Sequence, residues 1–435
     1  MRTHTLSRIL ADQRGIALPM AMMIVLILSA LMVAFSVLGA SEPTLAANQQ
    51  RVAQARAIAE SGLERALWAL NNPGDASGIP GDDHGILPDP KGPVPAPYDG
   101  SSFIPASVAG VIGGFRVTVS ASKNPDETVI PNERKILVDG WVPNDTAPAR
   151  VKQRIQVTVT KIRFLGAPVA LAVRGDLNLG GHSLIDSSRD TSCGEKGGTW
   201  SKDETHREGS AEVCNYAGGC DNHDDVPTPV VYNPNDPTTL KGDIVTGVPN
   251  SIFDTFTYSP DEINMFKAMA KAQGTYYPTP AGGTVTFNAS NKIPNGLIFV
   301  DITSGNDITA TTPASDFNAS LKISGNAGAS NDGIFRGWII VNGSARIDGQ
   351  FVMRGLLYVQ NDLTYLGTGN GKIVGAAISQ NLLDLKSTTI AKWESDSDTL
   401  GNSTIVYNCA YARTGDNKVS QSFTIKLGTY KGVAG

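Results

Sequence analysis

The uncharged run from Ile16 to Ala40 constrains this chain more than any other feature. It contains Leu18, Met22, Ile24, Val25, Leu26, Ile27, Leu28, Leu31, Val33, Phe35 and Leu38. As a helix it extends roughly 37 Å at about 1.5 Å per residue. That length crosses a hydrocarbon core of about 30 Å with some tilt. A chain with such a segment is expected to sit in a membrane, although 18% of all residues are charged, as in a water-facing domain.

Residues 1–15 form a basic leader, with Arg2, Arg8 and Arg14 against a single Asp12. Positive charge beside a first span tends to stay cytoplasmic, so everything after Ala40 is expected on the far side of the membrane. Ser36, Gly39, Ala40 and Ser41 imitate a signal-peptidase site. A secretory signal would have a shorter apolar core, however, and here the helical pattern continues beyond it. Over 41–70, Leu45, Ala46, Val52, Ala55, Ala59, Leu63, Ala66, Leu67 and Leu70 recur at three- and four-residue steps among Arg51, Arg56, Glu60, Glu64 and Arg65. That spacing predicts an amphipathic helix. Pro43 lacks an amide hydrogen and disfavours helix at Glu42, so a kink or break is expected there.

Arg14-Gly15, Ile16-Ala17-Leu18-Pro19, the apolar span, Ser41-Glu42, Asn48 and Ala59-Glu60-Ser61-Gly62-Leu63-Glu64 together resemble the N-terminal domain of PilX-type minor pilins. These belong to the type IV pilus and type II secretion pseudopilus class. The resemblance covers about the first 70 residues. It implies cleavage after Gly15 by a prepilin peptidase and methylation of the new N-terminus at Ile16. It also implies partnership with other pilins and with the inner-membrane assembly machinery of a bacterium. Most major pilins carry glutamate at the fifth mature position, where this chain has Met20. A buried glutamate needs a partner charge. A subunit without it cannot neutralise a neighbour's N-terminal ammonium, which suits a low-copy or tip position. Ala21, Ser29 and Ala30 are small enough to permit close helix approach in a filament.

Loss of the leader would leave 33 of the 36 basic and 40 of the 41 acidic side chains, a balance of −7. Nucleic acid is therefore not an expected partner, because phosphate binding needs clustered Lys and Arg. In an exported chain the four cysteines, Cys193, Cys214, Cys220 and Cys409, point to disulfides. Three pairings are open; one local bridge is favoured, with Cys409 taking the remaining partner. Zinc on Cys214, Cys220, His223 and Cys193 or His206 is the alternative, but the spacing fits no compact template. The acidic run Asp221 to Asp225 lacks the glycine and ligand register of a calcium loop. No cofactor is expected.

The fold class expected is α+β. Residues 71–110 form a Pro/Gly-rich linker without core. Residues 111–165 contain alternating Phe115, Val117 and Val119, then Ile136, Val138 and Val142, then Val151, Ile155, Val157 and Val159, the pattern of an antiparallel sheet with one polar face. One amphipathic helix on such a sheet gives an adequate core. Residues 166–435 form a β-rich distal domain with a cysteine-containing insert at 187–226. There Gly337-Trp338-Ile339-Ile340-Val341 recurs as Gly355-Leu356-Leu357-Tyr358-Val359 and, more loosely, at Gly375 and Gly296. Val173 to Leu177 likewise matches Val341 to Ala345, and Ile185-Asp186 matches Ile347-Asp348. Offsets of about 18 to 20 residues suggest the coils of a parallel β-solenoid, with Asn361 and Asn381 as a ladder; a hairpin sandwich is the competing arrangement. Ser259-Pro260-Asp261-Glu262 and Gly274 bracket one helix, with Ile263, Phe266 and Met269 on its buried side.

Catalytic motifs are missing from the sequence: there is no phosphate-binding glycine loop, His-Glu-x-x-His or nucleophile elbow. His182 reads as a turn residue. Asp186, Asp348, Asp362 and Asp384 fall near coil corners, where aspartates commonly form turns, and glycoside chemistry would need a pair at defined separation. The expected role is a non-enzymatic pilin-like subunit. The alternative is an uncleaved membrane-anchored adhesin or glycan-binding protein.

Overall fold

In the computed structural model, residues 17–71, 94, 96–108, 110–161, 165–217, 219–220, 229–309, 311–317, 320–383, 396–419, 422–426 and 428–434 are described. The leader, Gly15, Ile16, most of the 71–110 linker, the Asp221–Asp225 run, His223 and Asp384 lie outside them. The chain is α+β and divides into two units. One comprises the N-terminal part up to Lys161 together with Ser422–Gly435; the other is Ile162–Gln421.

In the first unit, helix α1 runs unbroken over Ala17–Asn71 with Pro43 inside it. The break expected at Pro43 does not occur. An interior proline costs about 3 kcal/mol, and long helical stretches on both sides, one of them packed on a sheet, offset that penalty. The packed stretch begins later than the sequence pattern suggests. Leu45 and Val52 are 59% and 42% exposed, whereas Ala55, Ile58, Ala59, Leu63, Ala66, Ala69 and Leu70 are buried. Asn72-Pro73 follows the helix end, where a proline disfavours continuation.

Those buried residues lie on an antiparallel sheet of β1 (Ile104–Val108), β2 (Val111–Lys123), β3 (Val129–Val142) and β4 (Val151–Lys161). Strand alternation sends Phe115, Val117, Val119, Ile136, Val138, Ile155, Val157 and Val159 into the shared core. Each such side chain contributes about 1.5–3 kcal/mol on burial. On the opposite face of the sheet, Asp139 takes a bidentate hydrogen bond from Arg154 at 2.6 and 2.9 Å.

One boundary is corrected. Residues 422–434 were expected with the distal domain, yet Phe423–Ile425 and Lys431–Ala434 pair antiparallel with β4. Asn71 at the end of α1 holds the returning strand. Its side chain accepts from the Phe423 amide at 2.5 Å and donates to the Phe423 carbonyl at 3.3 Å. Phe423–Ile425 and Lys431–Ala434 satisfy the backbone groups that the β4 edge would otherwise leave unpaired.

The second unit is built from parallel strands. Gly296–Asp301, Ile334–Val341, Val352–Val359 and Lys372–Ser379 pair in register, so Gly296, Gly337, Gly355 and Gly375 form a column. A second parallel sheet takes Leu321–Ser324, Ala345–Asp348, Leu363–Gly367 and Ser397–Gly401 in order. The chain alternates between the two sheets, one strand each per circuit. Residues before the glycine alternate in burial, whereas those after it are buried on both faces. The doubly buried stretch explains the continuous apolar runs.

Register also sorts the sequence repeats. Val173 aligns with Val341 through Ser379 and Val359, as the sequence match predicts. Ile185-Asp186 does not align with Ile347-Asp348; it pairs with Ile405-Val406 in the other sheet. The Asn361–Asn381 side-chain ladder is also absent from the described contacts. The two residues meet through backbone, Asn381 N–H to Asn361 carbonyl at 3.4 Å, while the Asn361 side chain donates to Ser344 Oγ and accepts from the Leu383 amide. Asn361 is fully buried, so its amide takes the nearest local partners.

The helix Pro260–Gln273 has the bounds the sequence implies. Ser259 Oγ accepts from the Glu262 amide, the Glu262 carboxylate accepts from the Ser259 amide, and Gly274 closes the helix at φ 71°. Ile263, Phe266 and Ala270 are buried, with Met269 only partly so. Phe266 of this helix packs edge-on with Tyr258 and Trp338, and Tyr258 with Tyr358. Ser259→Ala is expected to lower stability by about 1 kcal/mol, read as a lower urea midpoint at unchanged m-value.

Candidate functional site

The helix α1 carries the candidate site in its first half. Among the described residues, Leu18–Ser36 is the stretch long and apolar enough to cross a membrane. Its side chains face outward: Met20 is 63% exposed and Leu26 70%. A helix so apolar on every side needs either lipid or other helices around it. Ser29 Oγ donates to the Val25 carbonyl at 2.7 Å, so its hydroxyl is satisfied within the helix and leaves a small, apolar-tolerant surface. At 3.6 residues per turn, Ala21 and Ala30 lie on opposite sides of α1 and Ser29 lies between them. These small residues do not form one stripe; they offer close approach on several sides.

The second half of α1 connects that span to its sheet. Gly62, within the Ala59-to-Glu64 motif, packs where an added Cβ would stand 2.7 Å from Val138 Cγ1 and 2.9 Å from the Phe115 ring. The motif glycine thus sets the depth at which the helix lies on β2 and β3. Glu60 accepts from Arg56 at 3.0 Å and from the Tyr430 hydroxyl at 3.1 Å, tying the chain end to the helix. Both Glu60 and Gly62 belong to a motif quoted from sequence; Tyr430 was not foreseeable, because it arrives 370 residues later.

The remaining candidates are placed singly. Asp186, fully buried, accepts from Ser188 and from Arg189 Nε at 2.5 Å. Asp348 is paired with Arg346 and Lys322 at 2.9 and 3.5 Å, and Asp362 accepts from Asn361 at 3.1 Å. His182 Nδ1 meets Ser210 Oγ at 2.5 Å, and His206 meets Glu208 at 3.0 Å. Asp186 and Asp348 are held in ion pairs, and the others take part in hydrogen bonds. Among the described residues, no three His, Cys, Asp or Glu side chains converge as metal ligands.

Cysteine chemistry is consumed by bonding. Cys193 and Cys409 form a disulfide, and Cys214 is also disulfide-bonded, opposite Cys220 in an antiparallel pair. These sulfurs are therefore not free to hold zinc. Near the first bridge, burial pushes the Tyr407 hydroxyl up to about 12, with Asp190 adding to the shift. Burial lowers the Lys196 ammonium, which lies 5.7 Å from the Tyr407 ring centre. Elsewhere a hydrogen bond from Arg336 holds Asp332 at about 2.

Comparison with curated proteins gives no match. A solved structure, the competence-associated pilin ComZ from Thermus thermophilus, aligns at 10% identity over 88% of this chain and 98% of its own, with a TM-score of 0.22. That superposition is too loose to bear on the fold. The family described as PilX N-terminal matches residues 14–64, a range holding the apolar span, the exposed Leu45–Val52 stretch and the Gly62 contact. Over residues 14–64 the chain is thus similar to the PilX N-terminal family.

Proposed function

We propose that this chain is a non-enzymatic minor pilin or pseudopilin. It would be held in a bacterial inner membrane by α1, cut after Gly15 and incorporated through α1 into a type IV pilus or related filament. The observation that carries the reading is the division of one continuous helix. Residues 18–36 are apolar and exposed, one face of residues 55–70 is buried on its own sheet, and the family match runs from the first into the second. The exposed apolar face extends past the span to Leu45 and Val52, which supports lateral packing against other pilin helices outside the bilayer. Met20 in place of the usual glutamate favours a low-copy position. The distal unit we read as a β-solenoid-like module displayed from the filament. Its parallel register, and the return of the same glycine at 18- and 20-residue steps from Gly337 to Gly375, support that reading.

Mass spectrometry of the mature N-terminus tests the processing step. The expected N-terminus is Ile16, methylated, and Gly15→Val is expected to leave Met1 on nearly all chains. An intact Met1 in cells with an active prepilin peptidase would overturn the pilin reading in favour of an uncleaved anchor.

A further inference from the structure

The stacking order of the distal unit is not its chain order. Lys372 to Gly375 pair with Thr404–Tyr407, whereas Ala377 to Ser379 pair with Leu171 to Val173. Ser397 to Thr399 pair with Leu177–Leu179, and Thr404 to Val406 pair on their other side with Leu184–Asp186. The layer beyond 372–401 is therefore assembled from two stretches remote in sequence. The chain enters the stack near Val169 and leaves it after Tyr407 through that one layer. This leaves a seam: the coils of 169–215 rest on the end of the 296–407 repeat with no peptide connection across the join.

Backbone hydrogen bonds cross the seam from the Arg174 amide to the Ser379 carbonyl at 2.9 Å and from Gly180 to Thr399 at 3.0 Å. Two more run from His182 to Gly401 and from Leu184 to Ser403, both at 2.8 Å. The Asp396 carboxylate accepts from the Asp176 amide at 2.7 Å. One covalent bond spans the same join. Cys193 follows Leu184–Asp186, Cys409 follows Thr404–Tyr407, and their Cα atoms are 6.0 Å apart across a sequence separation of 216. Asp190 reinforces the contact by accepting from the Cys409 amide at 2.7 Å.

We propose that the Cys193–Cys409 disulfide is a redox-dependent lock on this seam. Closing it removes two protons and two electrons from two thiols, and a disulfide-bearing oxidant accepts them and becomes a dithiol. A dithiol reductant reverses the step. With the lock closed, the 169–215 coils are held against the repeat whenever local hydrogen bonds open. With it open, those coils are retained by noncovalent contacts alone: backbone hydrogen bonds, the hydrogen bonds of Asp396, Asp190 and Asp398, and apolar contact. The layers from Gly296 to Ser379 are joined by chain at every turn, so they do not depend on it. Cys214 is also disulfide-bonded, and because Cys409 is taken and residues 296–407 hold no cysteine, that bond does not span the seam.

Hydrogen–deuterium exchange of the full chain in detergent tests this. Against the oxidised wild type, the C193S/C409S variant is expected to exchange the amides of Arg174, Gly180, His182 and Leu184 about tenfold faster or more. Amides of Leu356 to Val359 are expected to stay unchanged. C214S/C220S is expected to leave the seam amides protected. Equal protection with and without Cys193–Cys409 would overturn the proposal, as would uniform acceleration across both regions or an equal effect of C214S/C220S. If C193S/C409S does not fold, wild type reduced after purification with a phosphine is measured instead. Faster exchange confined to the seam amides is again the expected result, and unchanged or uniform exchange again overturns the proposal. The measurement needs no filament, so it stands apart from the N-terminal processing test.

Discussion

Gly355→Val is expected to unfold the distal unit while the α1-on-sheet unit stays folded. Gly355 has φ 155° and occupies the middle of the glycine column. A Cβ there would stand 1.6 Å from the Gly337 carbonyl oxygen, which is backbone and has no rotamer to yield. Two penalties add: overpacking of about 1–3 kcal/mol or more, and the strain of a side chain in a glycine conformation, about 1–3 kcal/mol. Their sum, about 2–6 kcal/mol and more if the backbone cannot relax, reaches the lower end of a typical margin of about 5–15 kcal/mol. The two units have separate cores, so the damage should not spread. Exchange mass spectrometry should report lost protection across 296–407 with protection over β2 to β4 retained. Gly166→Ala is the matched control, because an added Cβ meets nothing within 4 Å there. Wild-type protection in Gly355→Val would contradict the column as the reason these glycines recur.

Gly140→Val is expected to lift α1 from its sheet. Gly140 lies on β3 beneath the helix, where an added Cβ would stand 2.5 Å from the Ala55 carbonyl oxygen and 2.7 Å from the Ala59 nitrogen. No unusual φ is involved, so the effect is purely steric. The helix backbone must retreat, and the contacts of Ile58, Leu63 and Ala66 with Val117, Val138 and Val157 loosen together. The expected loss is about 3 kcal/mol. It would be read as a lower urea midpoint for the unit containing α1 and as faster exchange over 55–70. Gly432→Ala, in the same unit, has open space and should be silent. If the filament reading holds, Gly140→Val should also reduce incorporation while leaving cleavage at Gly15 intact, because the cut lies far from this contact along the chain.

The legibility of this chain followed the range of the interactions involved. Alternation at Phe115 to Val119 and Ile155 to Val159 is a local property of strands and was readable, as was the Ser259 capping box. The Gly337–Gly355–Gly375 recurrence was readable because in-register parallel strands reuse one local geometry. At the candidate site the Ala59-to-Glu64 motif was legible, since its spacing is a feature of a single helix, whereas the roles of Gly15 and Met20 belong to the proposal. Of the kink or break expected at Pro43, the break does not occur: packing and continuity of a 55-residue helix outweighed one missing hydrogen bond.

By itself the sequence determined the apolar span, the buried faces of β2 to β4, the glycine repeat and its spacing, and the resemblance of the first 70 residues to PilX-type pilins. Only the tertiary structure decided three long-range matters. It returned Phe423–Ile425 and Lys431–Ala434 to β4, moved Ile185-Asp186 into the other sheet, and joined Cys193 to Cys409 across a seam. The physical reason is common to all three. Side-chain pattern fixes which face of a strand is buried, but partner choice depends on which backbone edge is left unpaired once distant segments have folded. No local spacing encodes that.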